Sequence, residues 1–226
     1  MIYEKIVPGK FQSRPNRFIA MVEMGGELHT CHVKNTGWCR ELLVPGARVY
    51  LSESGNPQRK TKYDLVAVEK GGLLINMDSQ APNRVAGEWL RAGGLFPDLL
   101  ELKPEYPFGS SRIDFWGRTG AGEFLLEVKG VTLEEKGTAM FPDAPTIRGV
   151  KHLDELRGAV GLGFSAYVLF VIQMRGPARF IPNRRTDPAF AEALGKARAA
   201  GVRILAVDCL VTENSLKIGS EIPVEL

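Results

Sequence analysis

The chain has 226 residues, 44% hydrophobic and 24% charged, with a net charge of +3 and three cysteines. That is enough for one large domain or two modest ones of ordinary globular composition. No apolar run approaches the roughly 20 residues that span a bilayer, so no membrane segment is expected. The start, Met1-Ile-Tyr-Glu-Lys, lacks a charged region followed by an apolar one, so no secretory signal is expected. Cys31, Cys39 and Cys209 make an odd count without a Cys-x-x-Cys pair, which argues against a disulfide framework and for a reducing cytoplasm. Residues 1–82 hold 11 Lys/Arg against 8 Asp/Glu, whereas residues 83–226 hold 18 of each. The positive excess therefore lies in the first third, the part favoured to meet an anionic polymer.

Residues 1–80 read as all-β, an N-terminal OB-like barrel. Short alternating runs predict strands over 18–24, 28–33, 47–53, 65–69 and 73–76, with a tight hairpin at Gly25-Gly26 and a turn at Pro45-Gly46. The polar loop 54–62 carries Arg59, Lys60 and Lys62, which suits contact with a phosphate backbone. Phe11, Phe18, Trp38 and Tyr63 are candidates to stack bases, although the core is the commoner place for any one aromatic. Residues 76–82 form a polar connector, and the second domain is expected over 81–226.

In that second part a helix is predicted over 83–92, with Glu88 on it, ended by Gly93-Gly94. A Pro-rich lead-in, 96–109, precedes a β-hairpin over 110–133, with its turn read at 117–122. In the first arm Arg112, Asp114 and Trp116 alternate with Ile113 and Phe115; in the second, Glu127 and Lys129 share a face and lie about 7 Å apart along the strand. Asp114 joins them only if the hairpin register allows it. Two carboxylates and a lysine on otherwise apolar strands are costly to bury unless a cation or proton sits between the acids. A hard divalent ion such as Mg2+ or Mn2+ would resolve the repulsion; an exposed cross-strand salt bridge is the plainer alternative. A loop over 134–145 leads to a helix over 146–160, where Arg148, Lys151, His152 and Glu155 share one face and suit phosphate contacts. The apolar run 166–174 reads as a central strand, followed by a helix over 188–200 capped by Asp187, a strand over 202–207 and an edge segment to Leu226. Strand, helix, strand, helix, strand implies an α/β domain with a mixed central sheet.

The whole chain resembles the sugar fermentation stimulation protein A family. The resemblance rests on Asn35-Thr36-Gly37 with Pro45-Gly46, Asn83-Arg84, Ser111-Arg112-Ile113-Asp114-Phe115, and Glu127-Val128-Lys129-Gly130-Val131-Thr132-Leu133. Phe141-Pro142-Asp143-Ala144, Thr146, Arg148-Gly149, Lys151-His152-Leu153 and Glu155-Leu156 complete it. Val33-Lys34 stands where Cys-Pro is usual, and Ile113 rather than Pro precedes Asp114. The resemblance implies an OB-like domain followed by a PD-(D/E)XK nuclease-type domain. It also implies a Mg2+- or Mn2+-dependent nuclease site of Asp114, Glu127 and Lys129, with Glu88 as the helical acid and the Val128 carbonyl as a further metal ligand. Expected partners are DNA or RNA, held by Arg112, Arg148, Lys151 and His152 and by the 54–62 loop. The rival reading is a non-catalytic DNA-binding regulator of sugar (maltose-type) metabolism genes that keeps the nuclease fold. Paired acids facing polyanionic DNA count against that rival, since without a metal they repel the ligand. The sequence does not decide between monomer and oligomer.

Overall fold

The computed structural model describes residues 1–35 and 37–226; Thr36, part of the Asn35-Thr36-Gly37 motif, lies outside the described residues. The chain folds as expected into an OB-like barrel followed by an α/β domain with a mixed central sheet. The barrel strands are β1 (Ile6–Asn16), β2 (Ile19–Met24), β3 (Glu27–Val33), β4 (Arg48–Glu53) and β5 (Tyr63–Lys70), with β6 (Leu73–Asn76) added to β5. They run in the order β3-β2-β1-β4-β5-β6, and a parallel β3–β5 pairing at His32↔Asp64 and Val33↔Leu65 closes the barrel. Gly25 and Gly26 both adopt positive φ, the conformation a two-residue hairpin between right-twisted strands demands.

Strand β1 is absent from the sequence pattern. Pro8, Gly9 and Pro15 break its alternation, yet it pairs with both β2 and β4, with register shifts at Phe11/Ser13 and Ser13/Asn16. Those irregularities bend one long strand across the barrel. Phe11, a candidate for base stacking, is a core residue instead.

The second domain starts with α1 (Ala81–Arg91), with Pro82 in its first turn. Strands β7 (Glu101–Phe108), β8 (Ser111–Thr119), β9 (Gly122–Val131), β12 (Ser165–Ile172), β14 (Arg203–Thr212) and β15 (Ser215–Glu221) form a sheet in the order β15-β14-β12-β9-β8-β7. Only β12 runs parallel to its neighbours, β9 and β14, which makes the sheet mixed. The Pro-rich lead-in thus contains a strand, β7. Pro104 and Pro107 are tolerated because β7 is an edge strand of the sheet, with no partner strand on one side of its backbone among the described residues. The hairpin turn is tighter than 117–122. Gly117 lies within β8 opposite Phe124, and a Cβ there would come 2.3 Å from that ring, so it is a packing glycine rather than a turn glycine.

Between the hairpin and α2 (Ile147–Gly161), the 134–145 segment contains β10 (Leu133–Glu135) and β11 (Thr138–Phe141), which join β13 (Arg179–Pro182) in a small second sheet. Helix α3 (Pro188–Ala199) is capped by Asp187, whose Oδ1 accepts from Phe190 N. Strand β12 is buried on both faces. Val168 and Phe170 pack with α2 and α3 residues Leu153, Leu156, Phe190 and Leu194, while Leu169 and Val171 pack with α1 residues Val85 and Leu90.

Barrel and α/β domain share one core, in which Val68, Ile75 and Met77 join Ile172 and Met174. Polar ties reinforce the joint: Gln173 Nε2 donates to the Asn76 carbonyl, the Asn76 side-chain oxygen and the Asp78 carbonyl at 2.9–3.1 Å. Among the described residues no helix is long and apolar enough to cross a membrane.

Candidate active site

The hairpin register decides where Asp114 goes. Phe115 lies opposite Leu126 and Trp116 opposite Leu125, and directly opposed residues share a face. The even positions of β8 therefore share the face of Leu125, Glu127 and Lys129. The β8–β9 ladder stops at the Phe115–Leu126 pair, while β7–β8 pairing continues to Phe108 and Ser111 and skips only the Glu105/Asp114 step, where Glu105 has φ 51°. This irregularity breaks the expected alternation. Ile113 packs with Trp116 on the α2 side and Phe115 packs on the α1 side, although both were expected on one face. The Asp114 carboxylate fills the gap between the strands. Its Oδ2 accepts from Val128 N at 2.7 Å, a bond a strand partner would otherwise supply, and its Oδ1 accepts from Asn83 Nδ2 at 2.6 Å.

Glu127 is 3% exposed. Its Oε1 accepts from Lys129 Nζ at 2.6 Å and from His152 Nδ1. Its Oε2 is buried and has no partner among the described residues. Arg148 Nε donates to His152 Nε2 at 3.3 Å. Arg148 can only donate, so His152 accepts at Nε2 and faces Glu127 with Nδ1. His152 is thus not one of three solvated cations on α2, as its spacing suggested; it is buried and orients Glu127. Electrostatics separate the two acids. Burial and the Glu127 charge push the Asp114 carboxyl up to about 6. Burial also acts to raise Glu127, but the His152 bond and Lys129 outweigh it and hold Glu127 below the ordinary carboxylate range.

An unpartnered, buried carboxylate oxygen next to a second acid is a costly arrangement, and it fits a bound cation. Among the described residues no three His, Cys, Asp or Glu side chains converge tightly enough to ligate one ion. A cation here would rest on two carboxylates and complete its shell with backbone carbonyl and water, which suits a hard ion of the magnesium type.

Arg112, Arg148, Lys151 and His152 line one open depression of about 770 Å3 beside this pair, together with Glu105 and Ser110. Arg148 and Lys151 are exposed there, on a helix whose N-cap Thr146 accepts from Gly149 N at 3.0 Å. Glu88 lies on the α1 wall of a neighbouring cleft that includes Asn83, Arg84, Arg91 and Asp114. Its carboxylate is 48% exposed and engaged by the Met1 ammonium at 2.7 Å and by Arg84 at 3.6 Å; among the described residues no bond joins it to Asp114, Glu127 or Lys129. In the 54–62 loop, Arg59 is bound to Asp64 through both terminal nitrogens, 2.5 and 2.9 Å, and Lys62 to Glu53 at 3.2 Å. Lys60 is exposed, and none of the three lines the depression.

Residues 80–215 match the sugar fermentation stimulation protein RE domain, and residues 13–77 match the SfsA N-terminal OB domain. The chain belongs to the sugar fermentation stimulation protein family. A family homolog from Desulfitobacterium hafniense is 55% identical over 226 residues, covering all of this chain and 99% of its own length. One from Clostridium beijerinckii is 50% identical over the full length of both. The solved structure of SfsA from Pyrococcus furiosus in complex with Ca2+ superposes with a TM-score of 0.91 at 28% identity, over 100% of this chain and 98% of that one.

Two site residues of this family member carry no signal in strand or helix periodicity. Asn83 reads as the start of a helix, yet it holds Asp114 across 31 positions. Gly130 reads as part of a strand, yet a Cβ there would lie 2.7 Å from Pro82 Cγ and from Gln173 Oε1. The missing side chain lets the first turn of α1 sit against β9, which brings Asn83 to Asp114. Gly130→Ala is expected to destabilise by about 1–3 kcal/mol through overpacking and to loosen the Asn83–Asp114 bond; unchanged thermal unfolding would show that α1 docks without that close approach.

Proposed function

We propose that this chain is a divalent-metal-dependent nuclease that hydrolyses phosphodiester bonds of DNA or RNA. The observation that carries this is the buried Oε2 of Glu127, unpartnered among the described residues, close to Asp114, whose carboxyl is pushed up by burial and by the Glu127 charge. Asp114 and Glu127 are the residues to hold Mg2+ or Mn2+, with the Val128 carbonyl as a further ligand. Glu88 is the outer acid, once its carboxylate leaves Arg84 and the Met1 ammonium. The Ca2+ in the related Pyrococcus structure supports a hard divalent ion. When bound, such an ion supplies Lewis acidity toward a phosphate oxygen and an attacking water.

The remaining roles belong to the chain itself. His152, fixed by Arg148, holds Glu127 in place through Oε1 and leaves Oε2 available. Lys129 Nζ orients the attacking water and offsets the charge that builds on the phosphate in the transition state. Arg112, Arg148 and Lys151 hold backbone phosphates along the open depression. Lys60 extends the basic track over the barrel, and Arg59 and Lys62 join it only by leaving Asp64 and Glu53. The three cysteines are unpaired and buried, which supports work in a reducing cytoplasm.

Labelled single- and double-stranded DNA and RNA, incubated with magnesium, manganese or a chelator, test the reading. Cutting that requires metal is the expected result. Salt-sensitive binding without cutting in either metal would overturn it in favour of the non-catalytic regulator.

A further inference from the structure

The cleft leaves one exposed cluster on the barrel unused. Arg14 ties the β1–β2 turn to the connection between β3 and β4. Its Nη1 donates to the Trp38 carbonyl at 2.5 Å, and its Nη2 donates to the carbonyls of Arg17 and Asn35 at 2.6 and 2.7 Å. Two large aromatics are left in water on the segments so joined: Phe18 is 55% exposed and Trp38 41%. Three guanidinium carbons surround the Trp38 ring, those of Arg40 at 5.2 Å, Arg17 at 5.8 Å and Arg14 at 5.9 Å from its centroid. Arg14 has both terminal nitrogens on backbone carbonyls, and its Nε is buried without a hydrogen-bond partner among the described residues. Arg17 and Arg40 are exposed, and among the described residues neither is in an ion pair. Glu41 and Asp143, both exposed, lie near the buried Cys39.

Exposed aromatic faces interleaved with unpaired arginines suit one kind of ligand: bases that stack and phosphates that pair. In a duplex the base faces are already covered by their neighbours, so an indole face gains contact only with an unpaired base. The position also fits. Gly37 packs so closely on Asp143 that a Cβ there would lie 2.5 Å from Asp143 Oδ2. Asp143 is five residues before Arg148, a reach of at most roughly 18 Å. A strand seated on Trp38 therefore arrives at the catalytic depression within the roughly 4–16 nucleotides that an OB domain occupies.

We propose that Trp38 and Phe18 form a stacking platform for unpaired bases of a single-stranded nucleic acid, with Arg17 and Arg40 holding the flanking phosphates, and that this platform feeds the strand toward the cleft. The proposal rests on the nucleic-acid reading of the cleft and names the form of its substrate. Fluorescence anisotropy in EDTA, with a labelled 16-nucleotide single strand and the matching duplex, separates binding from cleavage. Trp38→Ala is expected to weaken single-strand binding roughly 5- to 150-fold, the loss of one base–aromatic stack. Trp38→Phe should retain most of the affinity, and duplex binding should change less than about twofold. Arg17→Ala with Arg40→Ala should reduce the salt slope by about 1.4, as two lost single-strand phosphate contacts require.

Single-strand affinity unchanged in Trp38→Ala, with the wild type binding well, overturns the platform and leaves the nuclease reading intact. So does wild-type binding to duplex alone. Polyglutamate binding that Trp38→Ala weakens, with single-strand binding untouched, reassigns the patch to an acidic protein partner. Wild type that binds no nucleic acid of any form in EDTA, and cuts none with magnesium or manganese, removes the nuclease reading as well.

Discussion

Asp114→Asn is expected to abolish metal-dependent cleavage and, in the absence of metal, to make the protein more stable at neutral pH. Asp114 is raised from 3.8 to about 6 by burial and by Glu127. A carboxyl whose folded value lies above its unfolded one binds more protons in the folded state between those limits, so stability falls as pH rises through about 4 to 6. Above that window the ionised Asp114 costs on the order of 2–3 kcal/mol. Asparagine removes the charge and keeps the contacts: its oxygen accepts from Val128 N, and Asn83 turns its amide to accept from the new NH2 group. Thermal unfolding in EDTA should therefore favour the variant at pH 7.5 and show little difference near pH 4. Turnover should drop by about 10^2-fold or more, since one of the two acidic ligands is gone. A variant that still cuts at the wild-type rate would remove Asp114 from the site. An equal gain in stability at both pH values would place its benefit in packing rather than charge.

Lys129→Ala should leave nucleic-acid affinity within a few-fold and lower the cleavage rate by about 10^2–10^3, the usual loss when one preorganised charge is taken from a transition state. Affinity is spared because Arg112, Arg148 and Lys151 line the depression independently of Lys129. The variant also changes the acid limb of stability. Glu127 is held below the ordinary carboxylate range against the effect of burial, by His152 first and by Lys129. A depressed carboxyl stabilises the fold above its unfolded value and loses that contribution as pH falls through its folded one. Without Lys129 the contribution shrinks, so acid unfolding should begin at higher pH than in the wild type. Full activity in Lys129→Ala, measured under single-turnover conditions, would reduce this lysine to a partner in an ordinary ion pair.

The buried pair illustrates a common trade. Glu127 Oε2 without a partner and Asp114 held above its ordinary value both cost stability in the metal-free protein, and a bound cation would offset both. The Trp38 and Phe18 faces show the same pattern at the surface, where apolar area left in water has no use to the isolated fold.

Local chemistry was enough to read much of this protein from sequence. Strand alternation placed Glu127 and Lys129 on one side, and the continuous apolar run marked β12 as central, because side-chain direction along a strand follows from backbone geometry alone. Asp187 before Pro188 marked the start of α3 for an equally local reason. Strands β1 and β7 were hidden because their prolines are harmless only at a bend or an edge, and position in a sheet is a property of the assembled fold.

The site was split in the same way. That Asp114 turns into the gap left by β9, that His152 is buried against Glu127 rather than exposed beside Lys151, and that Arg59 is taken up by Asp64 all depend on register and packing between segments distant in the chain. Periodicity specifies which face a side chain occupies. Only the tertiary structure decides what stands on the other side of that face, because burial, partner distance and the resulting charge state arise from contacts that no single segment contains.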